Sequence, residues 1–143
     1  MKKVFVFIAF IALVACGQKE QKSMSIEVPL TSDGKVDTAS LPKFSFTQDS
    51  YDFGKIKQGE KVSYSFTFKN TGKTPLIISS ASASCGCTVP SYPEEPIQPG
   101  EESKIDVVFD SSNKMGMQTK TVTIVANTIP NTKVLYLRGE ILE

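Results

Sequence analysis

Residues 61–69 read Lys-Val-Ser-Tyr-Ser-Phe-Thr-Phe-Lys, so Val62, Tyr64, Phe66 and Phe68 alternate with Ser63, Ser65 and Thr67. A side-chain period of two belongs to a β-strand, because a helix would scatter the same four large residues around its circumference. Burying that face is worth roughly 6–12 kcal/mol of gross free energy, at about 1.5–3 kcal/mol per large apolar side chain. This stretch commits the chain to strands.

The same period recurs past Pro42. Phe44 and Phe46 alternate with Ser45 and Thr47, Ile105, Val107 and Phe109 share one face of 104–110, and further runs occupy 119–127 and 132–139. Turn residues separate the runs: Asp52-Phe53-Gly54 breaks the first, and Asn70-Thr71-Gly72-Lys73 offers Asn and Gly for positive φ. Residues 111–116 and Thr128-Ile129-Pro130-Asn131 supply later turns, and Pro75 leads into the dense apolar Leu76-Ile77-Ile78. Pro90, Pro93, Pro96 and Pro99 mark a long loop unable to join a central ladder, since proline has no amide donor. About seven strands within residues 42–143, and no amphipathic helix, predict an all-β immunoglobulin-like β-sandwich. The antibody hallmarks are missing: there is no tryptophan, and Cys85 and Cys87 are too close in sequence to bridge two sheets.

Ahead of that region come Lys2 and Lys3, an apolar run over 4–15, and Leu13-Val14-Ala15-Cys16. That layout is a signal peptide, and its apolar run is well short of the 18 or so residues of a spanning helix. Leu13 to Cys16 resembles the bacterial lipobox, in which the cysteine is lipidated and becomes the first residue of the mature chain. The resemblance implies a lipoprotein signal peptide at 1–15, a lipidated flexible tether at 16–41 and the sandwich at 42–143. Cys16 would be the lipid attachment, with the membrane a partner through it. One acyl chain binds marginally and stable anchoring takes about two signals, so the three acyl chains of a lipoprotein would hold permanently. Gly17, where an Asp would retain the chain, implies the outer membrane by resemblance to sorting rules. The periplasmic and surface faces both stay open, and Gln18-Lys19-Glu20 resembles the charged tether of surface lipoproteins.

The stretch 17–41 is polar, poor in large apolar residues and without a sustained period, which predicts a tether that cannot offset its ordering entropy. Inside it, Asp37-Thr38-Ala39 resembles the acceptor of bacterial general O-glycosylation, making Thr38 a candidate glycosylation site. Without Lys2 and Lys3 the chain holds 14 basic and 15 acidic residues, a net charge of −1. A near-neutral, interspersed surface lacks the basic footprint that nucleic-acid phosphates require.

Histidine is absent. Ser-His-Asp and Cys-His constellations and His-containing zinc sites are therefore excluded, which points away from an enzyme and from a cofactor. The chemistry that remains is Cys85 and Cys87. An oxidising envelope makes a disulfide the default, with reduced thiols packed as small apolar groups, a redox pair, and a metal site as alternatives. A three-residue loop gains only about 1.6 kcal/mol from closure, so a disulfide there would serve to shape one turn or to be readily reduced. Met115 and Met117 add two thioethers, and thiolate with thioether is a soft set suited to Cu(I). The plainer alternative makes both methionines turn-flanking apolar residues.

An ordered set of motifs brings these features together. It runs Tyr51-Asp52-Phe53-Gly54-Lys55-Ile56, Phe66-Thr67-Phe68-Lys69-Asn70-Thr71-Gly72, Pro75-Leu76-Ile77-Ile78, Ser84-Cys85-Gly86-Cys87-Thr88, Ile97-Gln98-Pro99-Gly100-Glu101 and Gly116. Over about residues 44–141 this resembles a bacterial Ig-like domain of unknown function with a CGC motif, common in secreted lipoproteins and related in fold to the ASH, Hydin and major-sperm-protein group. The resemblance implies a non-catalytic binding module of the cell envelope, contacting an unidentified envelope protein or component through a sheet edge or the Pro90-to-Pro99 loop. The competing expectation is an envelope thiol-redox or copper-binding protein that uses Cys-Gly-Cys.

Overall fold

The strands the sequence predicts pair as two sheets packed face to face. A computed structural model describes residues 33–34 and 37–143, so the expected signal peptide, Cys16 and most of the tether lie outside the described residues. Eight strands follow in order: β1 (Phe44–Phe46), β2 (Ser50–Lys57), β3 (Lys61–Asn70), β4 (Ile78–Ala83), β5 (Thr88–Ser91), β6 (Glu102–Asp110), β7 (Gly116–Ala126) and β8 (Thr132–Leu142). They form the sheets β1-β3-β6-β5 and β2-β8-β7-β4. The protein is an all-β, immunoglobulin-like sandwich.

Alternation in β3 does what its pattern requires. Val62, Phe66 and Phe68 are buried, and Tyr64 is half-buried and stacks on Tyr51 at 3.8 Å between ring centroids. Ile105, Val107 and Phe109 meet them from β6 in antiparallel register, and Val122, Ile124, Leu135 and Leu137 close the core from the other sheet. The chain changes sheet between β1 and β2. The amide of Thr47 still donates to Thr67 of the first sheet, while the carbonyl of Asp49 already accepts from Tyr136 of the second.

Three expectations differ from what forms. Asp52-Phe53-Gly54 does not end a strand: it is a bulge inside β2, with the parallel β2–β8 register shifting between Asp52 and Lys55. The Gly54 amide donates to Asp52 Oδ1 at 2.8 Å, and Gly54 takes φ +69°. Opposite it, a Cβ on Gly139 would lie 2.2 Å from the Phe53 ring, so only glycine lets that ring lie flat against β8. Pro90 is not in a loop either. It sits in β5 opposite Val107, tolerated because β5 is an edge strand.

The third is Asn70, which takes no positive φ; Asn113 alone does so among the described non-glycine residues. Asn70 is instead a fully buried hub. Its Oδ1 accepts the amides of Lys43 (3.3 Å) and Gly72 (3.0 Å), and its Nδ2 donates to the carbonyls of Thr74 (2.9 Å) and Ile97 (3.0 Å). The hub also holds the end of the segment read as tether. Thr74 Oγ1 donates to the Ser40 carbonyl at 2.9 Å, and Gly72 has no room for a Cβ beneath Leu41 and Pro42.

Candidate functional site

The Cys-Gly-Cys stretch lies where the chain passes from the edge of one sheet to the edge of the other. β4 directs Ile78, Ala81 and Ala83 inward and Ser80 and Ser82 outward. Its pairing with β7 ends at Ser84, whose amide donates to the Thr121 carbonyl (2.9 Å) and whose Oγ accepts the Thr121 amide (3.1 Å). The turn then crosses to β5. The Thr88 amide donates to the Cys85 carbonyl at 3.2 Å, and the Cys87 carbonyl accepts the Asp110 amide at 2.8 Å. The sulfurs of Cys85 and Cys87 lie 2.13 Å apart, at disulfide-bonding distance. Cys87 packs against the core, and the buried Thr88 hydroxyl lies 3.6 Å from Cys85 Sγ.

The other candidates are elsewhere. Met115 and Met117 flank Gly116 at the start of β7, 54% and 77% exposed. Met117 shares the outward phase of Thr119 and Thr121 whereas Cys87 points inward, so the four soft ligands are not gathered. Among the described residues no three His, Cys, Asp or Glu side chains form a metal-ligating group. Thr38 is exposed at the opposite end of the sandwich, in a turn where Asp37 Oδ1 accepts the Ala39 amide at 3.0 Å. It borders a shallow cleft of about 270 Å³ with Leu41, Gly72 and Ile129.

Beside the Cys-Gly-Cys turn is a feature the sequence reading did not single out, the free edge of β4. Edge strands expose unpaired backbone groups, and proteins shield them with short length, charge, proline or bulges. β1 is three residues long, β5 carries Pro90, and β2 carries Asp52, Lys55, Lys57 and its bulge. β4, Ile-Ser-Ser-Ala-Ser-Ala, has neither charge nor proline, and its one irregularity falls at its start, between Ile78 and Ser80. Because the Ser84 amide faces β7, the amides and carbonyls of Ala81 and Ala83 face the free side. The Tyr92 hydroxyl reaches only the Ser79 carbonyl, at 3.5 Å. Only the apolar run Leu76-Ile77-Ile78 was legible here, and edge position is set by pairing and not by composition.

The carboxylates with altered acidity lie away from this edge. Asp106 is held below the usual carboxylate range by the Ser65 hydroxyl and then by Lys104, Asp110 by Ser112 and then Lys61, and Asp49 by Lys133. Each is exposed and paired, so these are surface contacts of the fold.

Fold and site together define an immunoglobulin-like sandwich with a Cys-Gly-Cys corner between its sheets. The chain belongs to the DUF1573 family, proteins of unknown function, whose profile matches residues 44–141. The motifs singled out in the sequence therefore pointed to the right family. A protein of unknown function from Porphyromonas gingivalis W83 is similar in structure, with TM-score 0.64, 14% identity, and 78% of this chain and 52% of that chain covered. The secreted serine protease VesC from Vibrio cholerae gives 0.57, 12%, 70% and 23%. The ASH/PapD-like domain 7 of human CEP192 gives 0.58, 13%, 84% and 97%. This chain thus spans about half of the Porphyromonas protein and under a quarter of the protease. No curated protein matches the chain.

Proposed function

We propose that this protein is a lipid-anchored lipoprotein of the bacterial outer membrane whose sandwich is a non-catalytic interaction module. Cys16 carries the anchor, the stretch after it spaces the domain from the bilayer, and a disulfide between Cys85 and Cys87 fixes the corner at which β4 ends. The domain binds an envelope protein by strand addition at the free edge of β4. The observation that carries this reading is that, among the described residues, β4 is the one edge longer than three residues with neither charge nor proline. Strand addition needs only unpaired backbone donors and acceptors, which Ala81 and Ala83 present. The likeness to an ASH/PapD-like domain over 97% of that domain's length supports a module that works as a unit.

The test is crosslinking in intact cells of the native host, comparing wild type with Ala81→Pro. Proline at a free-edge position removes an amide the fold does not use, so the sandwich should stand while the crosslinked adduct disappears. An adduct of unchanged yield in a folded Ala81→Pro variant would sink the β4 contact. Cys16→Ser should release the chain from the membrane fraction, and retention there would refute the anchor.

A further inference from the structure

We infer that the strand added to β4 is β4 of a second copy of this chain, antiparallel about a twofold axis. Two β2-β8-β7-β4 sheets would then join edge to edge. This rests on the reading that the β4 edge is the contact and adds the identity of the partner.

The first argument is electrostatic. A twofold contact sets a patch against itself, so any charge on it meets its own counterpart, and like charges directly opposite across strands are destabilising. β4 has no charge to oppose, and neither β4 nor the adjoining β7 puts a charged side chain on the outer face: Ser80, Ser82, Thr121, Thr123 and Val125 occupy it. The second is the phase of the backbone. The free groups of Ala81 and Ala83 are two residues apart, so an antiparallel mate can pair Ala81 with Ala83 of the other copy and the reverse, centred on Ser82.

Sedimentation velocity on the full lipidated chain in detergent tests this, with three variants: Ala81→Pro, Ser82→Lys and Ser82→Glu. Ser82 is exposed and outward, so neither charge should disturb the fold. The wild type should be a concentration-dependent dimer, and Ala81→Pro a monomer. Each Ser82 variant alone should dimerise about fivefold more weakly, the effect of about 1 kcal/mol of like-charge opposition. Mixing Ser82→Lys with Ser82→Glu should restore a heterodimer, a rescue that a contact remote from β4 would not give. A wild type monomeric at every concentration, or a dimer indifferent to all three variants, overturns the inference. If the chain is monomeric yet its cellular crosslink to another polypeptide is lost in Ala81→Pro, the second copy is refuted while the β4 contact stands. If that crosslink is also unaffected, both fall.

Discussion

The two outer faces of the sandwich are built differently. On the β1-β3-β6-β5 face, charges sit opposite one another in register: Lys61 with Asp110 (3.6 Å) and Lys69 with Glu102 (3.8 Å), while Lys104 and Asp106 pair along β6 (3.1 Å). Ser65 completes the set by donating to Asp106. On the β2-β8-β7-β4 face, charges gather on β2 and β8, as in Lys55–Glu140 at 3.2 Å, and β7 and β4 present only Ser, Thr, Val and Met. Both faces are built by the same alternation over one shared core, so core packing cannot account for the difference. A face whose charges are mutually satisfied is finished against water, whereas hydroxyls beside an unshielded strand edge leave hydrogen-bonding capacity for a partner.

The β2-β8-β7-β4 sheet also holds a tight packing constraint at Gly139, and there the largest effect among these tests is expected. Gly139→Ala drives a Cβ into the Phe53 ring and the Gly54 carbonyl, and should cost about 2–3 kcal/mol in urea unfolding. A cost under about 0.5 kcal/mol would mean that the β2 bulge moves aside freely. Next in size is the placing of one lysine on each face. Thr123 is half-buried opposite Ser82 and Val134, so Thr123→Lys should lose about 1 kcal/mol, whereas Ser63→Lys, on an exposed position of the charged face, should stay within about 0.5 kcal/mol. Equal shifts of the unfolding midpoint would show that the faces do not differ.

Much of this was readable in the chain, and what was not has physical causes. Side-chain phase is local, so the strands of Val62 to Phe68 and Ile105 to Phe109 and the inward and outward assignments followed from order alone. The Cys-Gly-Cys corner was legible as a candidate site because two cysteines in a strand-rich domain have few uses. Pairing is not local. That β2 runs parallel to β8, that Pro90 can be a strand residue, and that β4 is an edge depend on which strand lies alongside, and no run of residues encodes that by itself. Asn70 misled for a related reason: Asn-Thr-Gly is a turn signal, yet the buried amide joins Lys43, Thr74 and Ile97, segments that meet only after folding.

Smaller effects should come from the charged face. Lys61 is 68% exposed in its ion pair with Asp110, so Lys61→Ala should cost about 0.5 kcal/mol or less, and that difference should vanish in high salt. Smallest is the response of Asp106 to acid. Its carboxyl titrates below the ordinary 3.8 because Ser65 donates to it and Lys104 lies beside it, both favouring the ionised form. A depressed folded pKa means that the unfolded chain binds the proton more readily, so this stabilisation is complete above the unfolded pKa and drains away as pH falls through the folded one. Since the group is largely exposed, the loss should be about 0.3 kcal/mol. Thermal unfolding of Asp106→Asn and wild type at pH 5 and pH 2 should show the wild type losing slightly more, and a larger loss in the variant would mean that Asp106 is not held down by Ser65 and Lys104.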